Sequence, residues 1–101
     1  MDEIRNNGTT ERAVLAGVIR NTEDEESLDE LQELAVTAGA EVVGIVTQRR
    51  DNINTAHYIG KGKLEELKLF VEDREADLVI TDDELTGTQI KNIEDYVNVR
   101  V

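Results

Sequence analysis

The chain has no cysteine and no proline, and its only aromatic residues are Tyr58, Phe70 and Tyr96. Without cysteine there are no disulfides and no thiolate metal site. A cytoplasmic setting is expected on that ground, since disulfides belong to oxidising compartments. With so few aromatics the core must be aliphatic, built from Val, Leu, Ile and Ala, as suits helices laid on a sheet. No apolar run approaches the roughly 20 residues that span a bilayer. Met1–Thr10 is polar and lacks the apolar stretch of a signal peptide. Basic residues are also in short supply: 11 against 23 acids, a formal net charge of −12. Such a balance disfavours general nucleic-acid binding, which draws on Lys and Arg to displace counterions. It equally disfavours anionic membranes.

What is present has the size of one small domain, 101 residues. A chain of this length buries roughly two-thirds of its unfolded surface. Residues 1–11 are polar, with Asn6-Asn7-Gly8 among them, and read as a flexible N-terminal tail. From Arg12 to Ile19 apolar residues run on consecutive positions, the pattern of a strand buried on both faces in a parallel sheet. Leu28, Leu31, Leu34, Ala35 and Ala38 then recur at helical spacing, which predicts a helix over 26–38. Gly39 stands where a left-handed C-terminal cap belongs. Residues 41–46 read as a second buried strand. Leu64, Leu67, Phe70 and Val71 form the stripe of a second helix. Residues 78–80 make a third strand, and a third helix starts near Thr86–Thr88, with Ile90, Ile93 and Val97 facing inward. Val99-Arg100-Val101 begins a fourth strand.

The expected fold is therefore α/β. It is a βαβαβαβ, three-layer-type domain with a small, mostly parallel four-stranded sheet and flanking helices. It spans residues 12–101. Because the chain stops on an apolar alternation, it is expected to be truncated from a longer protein. A monomer is expected, with an exposed fourth-strand edge able to pair in a crystal.

In open parallel sheets, ligands bind beyond the carboxyl ends of the strands. Three loops meet there: residues 20–26, 47–62 and 82–86. The middle one is long for its type, and long loops are often functional. It is also the basic part of an acidic chain. Thr47–Lys63 carries Arg49, Arg50, Lys61 and Lys63 against Asp51 alone, a charge of +3 that leaves −15 elsewhere. Gly60 and Gly62 lie just before a helix N-terminus, where free N–H groups and the helix dipole can hold an anion. One reading is a phosphate contact by Gly60, Lys61, Gly62 and Lys63, on a nucleotide or on RNA. The other is a tight loop-to-helix transition with solvated lysines. Tyr58 is able to stack on a base, although packing against the sheet is the commoner role.

The spacing is not that of a Walker A loop, since Leu64 follows Lys63 where Ser or Thr is required. A dinucleotide fingerprint is incomplete, and no guanine-specifying Asn-Lys-x-Asp is found. No catalytic residue is assigned, and enzyme activity is not expected of this chain alone. Asp82, Asp83 and Glu84 end the third strand. They fit three roles: a Mg²⁺ site, helix capping, or ion pairs to Arg49 and Arg50. His57 is the only histidine and reads as a surface residue, with no second ligand for a transition metal.

Four segments resemble the N-terminal domain of the HflX family of ribosome-associated GTPases. They are Glu11–Val18, Glu26–Asp51, Tyr58–Leu67 and Ala76–Asp95. The most specific parts are Tyr58-Ile-Gly-Lys-Gly-Lys63 and Asp82-Asp-Glu-Leu85, in the family's order and at its spacing. The resemblance implies a domain preceding a helical hairpin and a GTPase domain, with GTP and Mg²⁺ bound in that missing domain. It implies contact with the large ribosomal subunit and its rRNA, and with the chain's own GTPase domain. Arg49, Arg50 and Gly60–Lys63 are the matching residues expected to make contacts. The family often has proline within 51–56, where this chain has none, which leaves that loop less constrained. The alternatives are a nucleotide-binding domain with Mg²⁺ at Asp82/Asp83 and a purely structural packing module.

Overall fold

Arg12–Ile19 is the first strand, β1, and its burial explains the architecture. Ala13, Val14, Leu15 and Ala16 are all removed from solvent. That requires a strand on each side and a layer on each face. The computed structural model, which describes residues 10–50 and 53–101, supplies all four.

The order along the chain is β1 (Arg12–Ile19), α1 (Thr22–Thr37), β2 (Glu41–Arg49), α2 (Lys61–Asp73), β3 (Leu78–Thr81) and α3 (Gly87–Val97). The three strands form one parallel sheet in the order β2-β1-β3. Side chains alternate across a strand, so the odd and even residues of β1 serve different layers. Leu15 and Ile19 pack with Leu28 and Leu31 of α1. Val14, Ala16 and Val18 pack with Leu64, Leu67 and Val71 of α2 and with Ile93 and Val97 of α3.

The sheet differs from the expected four strands. Beside β3 there is a single parallel bridge between Leu78 and Arg100, with Val79 N–H donating to the Arg100 carbonyl at 2.9 Å. One bridge does not make a strand, so the sheet among the described residues has three. The expected tail falls almost wholly on residues 1–9, outside the described residues.

Two element bounds also move. α1 begins at Thr22 rather than near residue 26, because Asn21 caps it, its side chain accepting from Asp24 N–H at 2.9 Å. The apolar periodicity starts only at Leu28, so the first turn carries no such signal. β2 continues to Arg49, since β1 pairs with it as far as Ile19. The connection to α2 is accordingly shorter than expected, residues 50–60.

Both α1 and α2 end in the Schellman arrangement. After α1, Ala40 N–H donates to the Ala35 carbonyl and Gly39 N–H to that of Val36, each at 3.0 Å. Gly39 has φ +101°, as its position demanded. After α2, Ala76 N–H donates to Val71 at 2.9 Å and Glu75 N–H to Glu72 at 3.4 Å. Here the left-handed position belongs to Glu75, with φ 52°. An L-residue in that region costs roughly 1–2 kcal/mol, part of which glycine gives back as unfolded-chain entropy. Glu75→Gly should therefore raise stability by about 0.5–1 kcal/mol, read as a rise of a few degrees in Tm in a thermal melt.

Candidate functional site

β1 outlasts β3 at the carboxyl edge. Their pairing stops at Ala16 and Thr81, while β1 continues to Ile19. The backbone groups of Arg12 face β3, as its carbonyl accepts from Asp77 N–H. With a period of two, those of Val18 face the same way, past the point where β3 has ended. Val18 is buried, and a buried N–H without a partner is costly. The Tyr58 hydroxyl fills the gap and accepts from Val18 N–H at 3.1 Å.

The same hydroxyl donates to Asp83 Oδ2 at 2.7 Å. Asp83 Oδ1 accepts from Arg20 Nη2 at 2.8 Å, and Arg20 Nε donates to Asp24 Oδ2 at 2.9 Å. One connected set of hydrogen bonds thus ties the three loops together: Arg20 from the first, with Asp24 in the first turn of α1, Tyr58 from the second and Asp83 from the third. Asp82 adds a further tie, accepting from Ser27 Oγ of α1 at 3.0 Å. Burial and the neighbouring Asp83 carboxylate hold the Tyr58 hydroxyl well above its ordinary range. The Arg20 guanidinium and backbone N–H hold the Asp24 carboxyl below the usual range.

The middle loop is built to deliver Tyr58. Asn54 Oδ1 accepts from the N–H groups of Ala56 and His57, each at 2.8 Å, which closes a tight turn. Asn54 and Tyr58 then exchange two backbone hydrogen bonds across the turn. From α3, the Gln89 amide donates to the Asn54 carbonyl at 2.8 Å and that of Asn92 to Ala56 at 3.0 Å. Tyr58 completes the turn at φ 71°, a strained backbone for a bulky residue. The strain persists because the surrounding bonds over-determine it. Residues 53–59 are thus well tied despite the lack of proline in 51–56, contrary to the expectation of a less constrained loop. Asp51, the one acid of the basic segment, lies outside the described residues.

Immediately after Tyr58 the chain enters α2. Gly60 is its N-cap and offers no side chain to the free N–H groups of the first turn, which also contains no acid. Gly60 N–H donates to Gln48 Oε1 at 2.7 Å. A Cβ at Gly60 would lie 3.0 Å from Gln48 Nε2 and 3.1 Å from Arg50 Nη1, so a side chain there would press on the ends of both of these side chains. Gly62 is different: it is exposed within the first turn, and a Cβ there would meet nothing within 4 Å. The fold gives no steric reason for glycine at that position.

The expected site residues therefore separate. Arg50, Gly60, Lys61, Gly62 and Lys63 gather around the start of α2. Arg49 lies on the other side of the loop and pairs with Glu25 of α1. Lys63 pairs with Glu66 at 3.1 Å. Lys61 is exposed, and neither it nor Arg50 forms an ion pair with another described residue. Tyr58 is fully buried, and its ring offers no face for stacking on a base. Of the roles left open for Asp82–Glu84, ion pairing to Arg49 and Arg50 does not form among the described residues: the cation at the acidic edge is Arg20. Among the described residues, no three His, Asp or Glu side chains converge to hold a metal ion. Arg20 and Asp24 were missed from sequence because they sit in a polar break that read only as a connection. The available signal was an arginine at the end of a fully buried strand, followed by Asn and acids at capping spacing.

Fold and edge together define the class: a small parallel α/β domain whose three loops are bonded into one unit beside a basic helix start. Residues 25–101 match the family described as GTP-binding GTPase N-terminal, and the chain belongs to that family. It is 68% identical over 91 residues to the GTPase HflX of Caldanaerobacter subterraneus subsp. tengcongensis, covering 90% of this chain and 21% of the relative. It is 44% identical over 94 residues to the GTPase HflX of Alkalihalophilus pseudofirmus, covering 90% and 22%. With the GTPase HflX of Escherichia coli it shares 30% identity over 92 residues, covering 90% and 22%. The chain thus spans about a fifth of the length of the relatives it matches.

Tyr58→Phe keeps the ring and removes the hydroxyl, leaving Val18 N–H unpaired in the core. The expected loss is about 1–3 kcal/mol in denaturant unfolding. Tyr58 also makes stability depend on alkaline pH. Its proton is held more tightly in the folded chain than in the unfolded one, where it leaves near pH 10. Its contribution is therefore complete below about pH 10 and falls as pH rises further. Unfolding titrations of the wild type should steepen above that pH relative to Tyr58→Phe.

Proposed function

We propose that this chain is the ribosome-contacting N-terminal domain of an HflX-type GTPase, and that it meets large-subunit rRNA with the start of α2. The observation that carries this reading is the helix start itself. It has no side-chain cap and no acid in its first turn, and it is flanked by Arg50, Lys61 and Lys63 on a chain of net charge −12. Free N–H groups at the positive end of the helix dipole suit a phosphate. Gly62, which the fold does not need, leaves room for a nucleic-acid backbone to approach. The acidic remainder repels wrong orientations and admits this one edge. Docking geometry, rather than bulk charge, then sets the contact.

GTP hydrolysis belongs in this reading to the rest of the parent protein, which would bind GTP and Mg²⁺. This chain has no Walker A loop and no guanine-specifying motif. The parent's GTPase domain would be the second partner, and the cytoplasm its place of work. No helix of the described residues is long and apolar enough to cross a membrane.

A nucleotide-binding reading, with Mg²⁺ at Asp82 and Asp83, has less support. Asp83 uses both carboxylate oxygens on Tyr58 and Arg20, and Asp82 accepts from Ser27. A metal ion would have to break these bonds first.

Co-sedimentation with purified large ribosomal subunits tests the proposal. Wild-type binding should weaken steeply between 50 and 200 mM salt, as phosphate contacts do. Replacing Arg50, Lys61 and Lys63 by Ala should weaken it at least about tenfold at low salt. Absence of wild-type binding would move the ribosome contact to the remainder of the parent.

A further inference from the structure

The set of bonds centred on Tyr58 has one outlet toward the basic edge. Tyr58 is followed directly by buried Ile59 and then by Gly60, the N-cap of α2. Its hydroxyl is fixed from two sides, by Val18 N–H at 3.1 Å and Asp83 Oδ2 at 2.7 Å. Asp83 is held in turn by Arg20. The left-handed backbone at Tyr58 turns the chain from the loop into the helix. Gly60 N–H is then aimed at Gln48, whose side chain also accepts from Arg50 Nη1 at 3.5 Å. Where Tyr58 sits therefore decides where Gly60 sits, and through Gln48 where Arg50 points.

We propose that Tyr58 and Asp83 are positioning residues for the phosphate contact at the start of α2. Neither touches the nucleic acid. Together they hold the first-turn N–H groups, Arg50, Lys61 and Lys63 in one arrangement that a phosphate backbone can meet. The inference rests on the rRNA-contact reading above and deepens it. Without the Tyr58–Asp83 bond, the turn keeps its bonds to α3 but loses its tie to the third loop, and the helix start is held less firmly against Gln48. The charges remain on the chain but are no longer presented together. Preorganised donors gain their advantage because no ordering is left to be done on binding.

Salt dependence separates positioning from folding and from charge. The slope of log affinity against log salt counts phosphates contacted, at about 0.7–0.9 for each. The experiment measures binding to large ribosomal subunits over a salt series. It compares the wild-type chain with Tyr58→Phe, Asp83→Ala, Tyr96→Phe and the Arg50/Lys61/Lys63→Ala variant, each checked for folding by thermal melt. Tyr58→Phe changes no charge, yet its slope should fall by about one and its affinity about tenfold. Asp83→Ala makes the chain less acidic, so bulk charge would strengthen binding; positioning instead weakens it and lowers the slope. Tyr96, which packs against Lys68 with 5.0 Å between the ammonium and the ring centre, takes no part in the network. Its variant should bind as the wild type does.

A folded Tyr58→Phe or Asp83→Ala chain with the wild-type slope overturns the positioning role while leaving the rRNA contact standing. If Tyr58→Phe does not fold, Asp83→Ala alone decides. Wild-type binding without salt dependence, or binding unaffected by loss of the three bases, overturns the rRNA contact and this inference with it.

Discussion

One phenol hydroxyl holds this domain's carboxyl edge together. β1 is longer than β3, so the end of β1 exposes a backbone N–H inside the core with no strand to receive it. In a small sheet such a mismatch is hard to repair with backbone alone, because the next strand has already turned away. Tyr58 repairs it from a distant part of the chain and adds a donor for Asp83. The cost is a bulky residue at positive φ, compensated by the turn that Asn54, Gln89 and Asn92 enforce. The three loops at the carboxyl edge meet through that placement. The first loop joins through Arg20, the third through Asp83, and the N-cap of α2 follows two residues after Tyr58.

Electrostatics at this edge work on two scales. The bulk of the chain is acidic, and its exposed helix α1 carries most of the acids of the first half. Locally the balance is settled pair by pair. Arg20 is used on Asp24 and Asp83, Arg49 on Glu25 and Lys63 on Glu66. Surface pairs of this kind contribute little to stability, roughly 0–1 kcal/mol, and leave Arg49 and Lys63 able to exchange partners. The network of Arg20 is more sheltered, with each side chain less than a third exposed. Its value lies in geometry, since it fixes three loops with respect to one another.

Much of the fold was legible along the chain. β1 was read with its observed bounds, because a strand buried on both faces writes its burial directly as an apolar run. Gly39 was read as a left-handed cap for the same direct reason: few residues other than glycine adopt that conformation without cost. The start of α1 was not read, since its first turn is polar and held by a cap rather than by packing. The fourth strand was over-read from an apolar alternation that makes only one bridge in the structure. Glu75 in a left-handed turn gave no sign at all, because its sequence context is that of an ordinary exposed acid.

The candidate site divides along the same line. Sequence alone determined that the basic residues cluster between Arg49 and Lys63 and that two glycines flank a helix start, because charge and glycine are properties of positions. It also determined that the core is layered; the expectation of an aliphatic core fails at Tyr58, the largest fully buried side chain. Only the tertiary structure decided that Tyr58 is buried, that Arg20 rather than Arg49 or Arg50 answers Asp83, and that Arg49 faces away from the helix start. Those outcomes depend on where three strands end relative to one another in space. A hydrogen bond between residues 40 or 25 positions apart is set by that offset, and no local pattern in the chain encodes it.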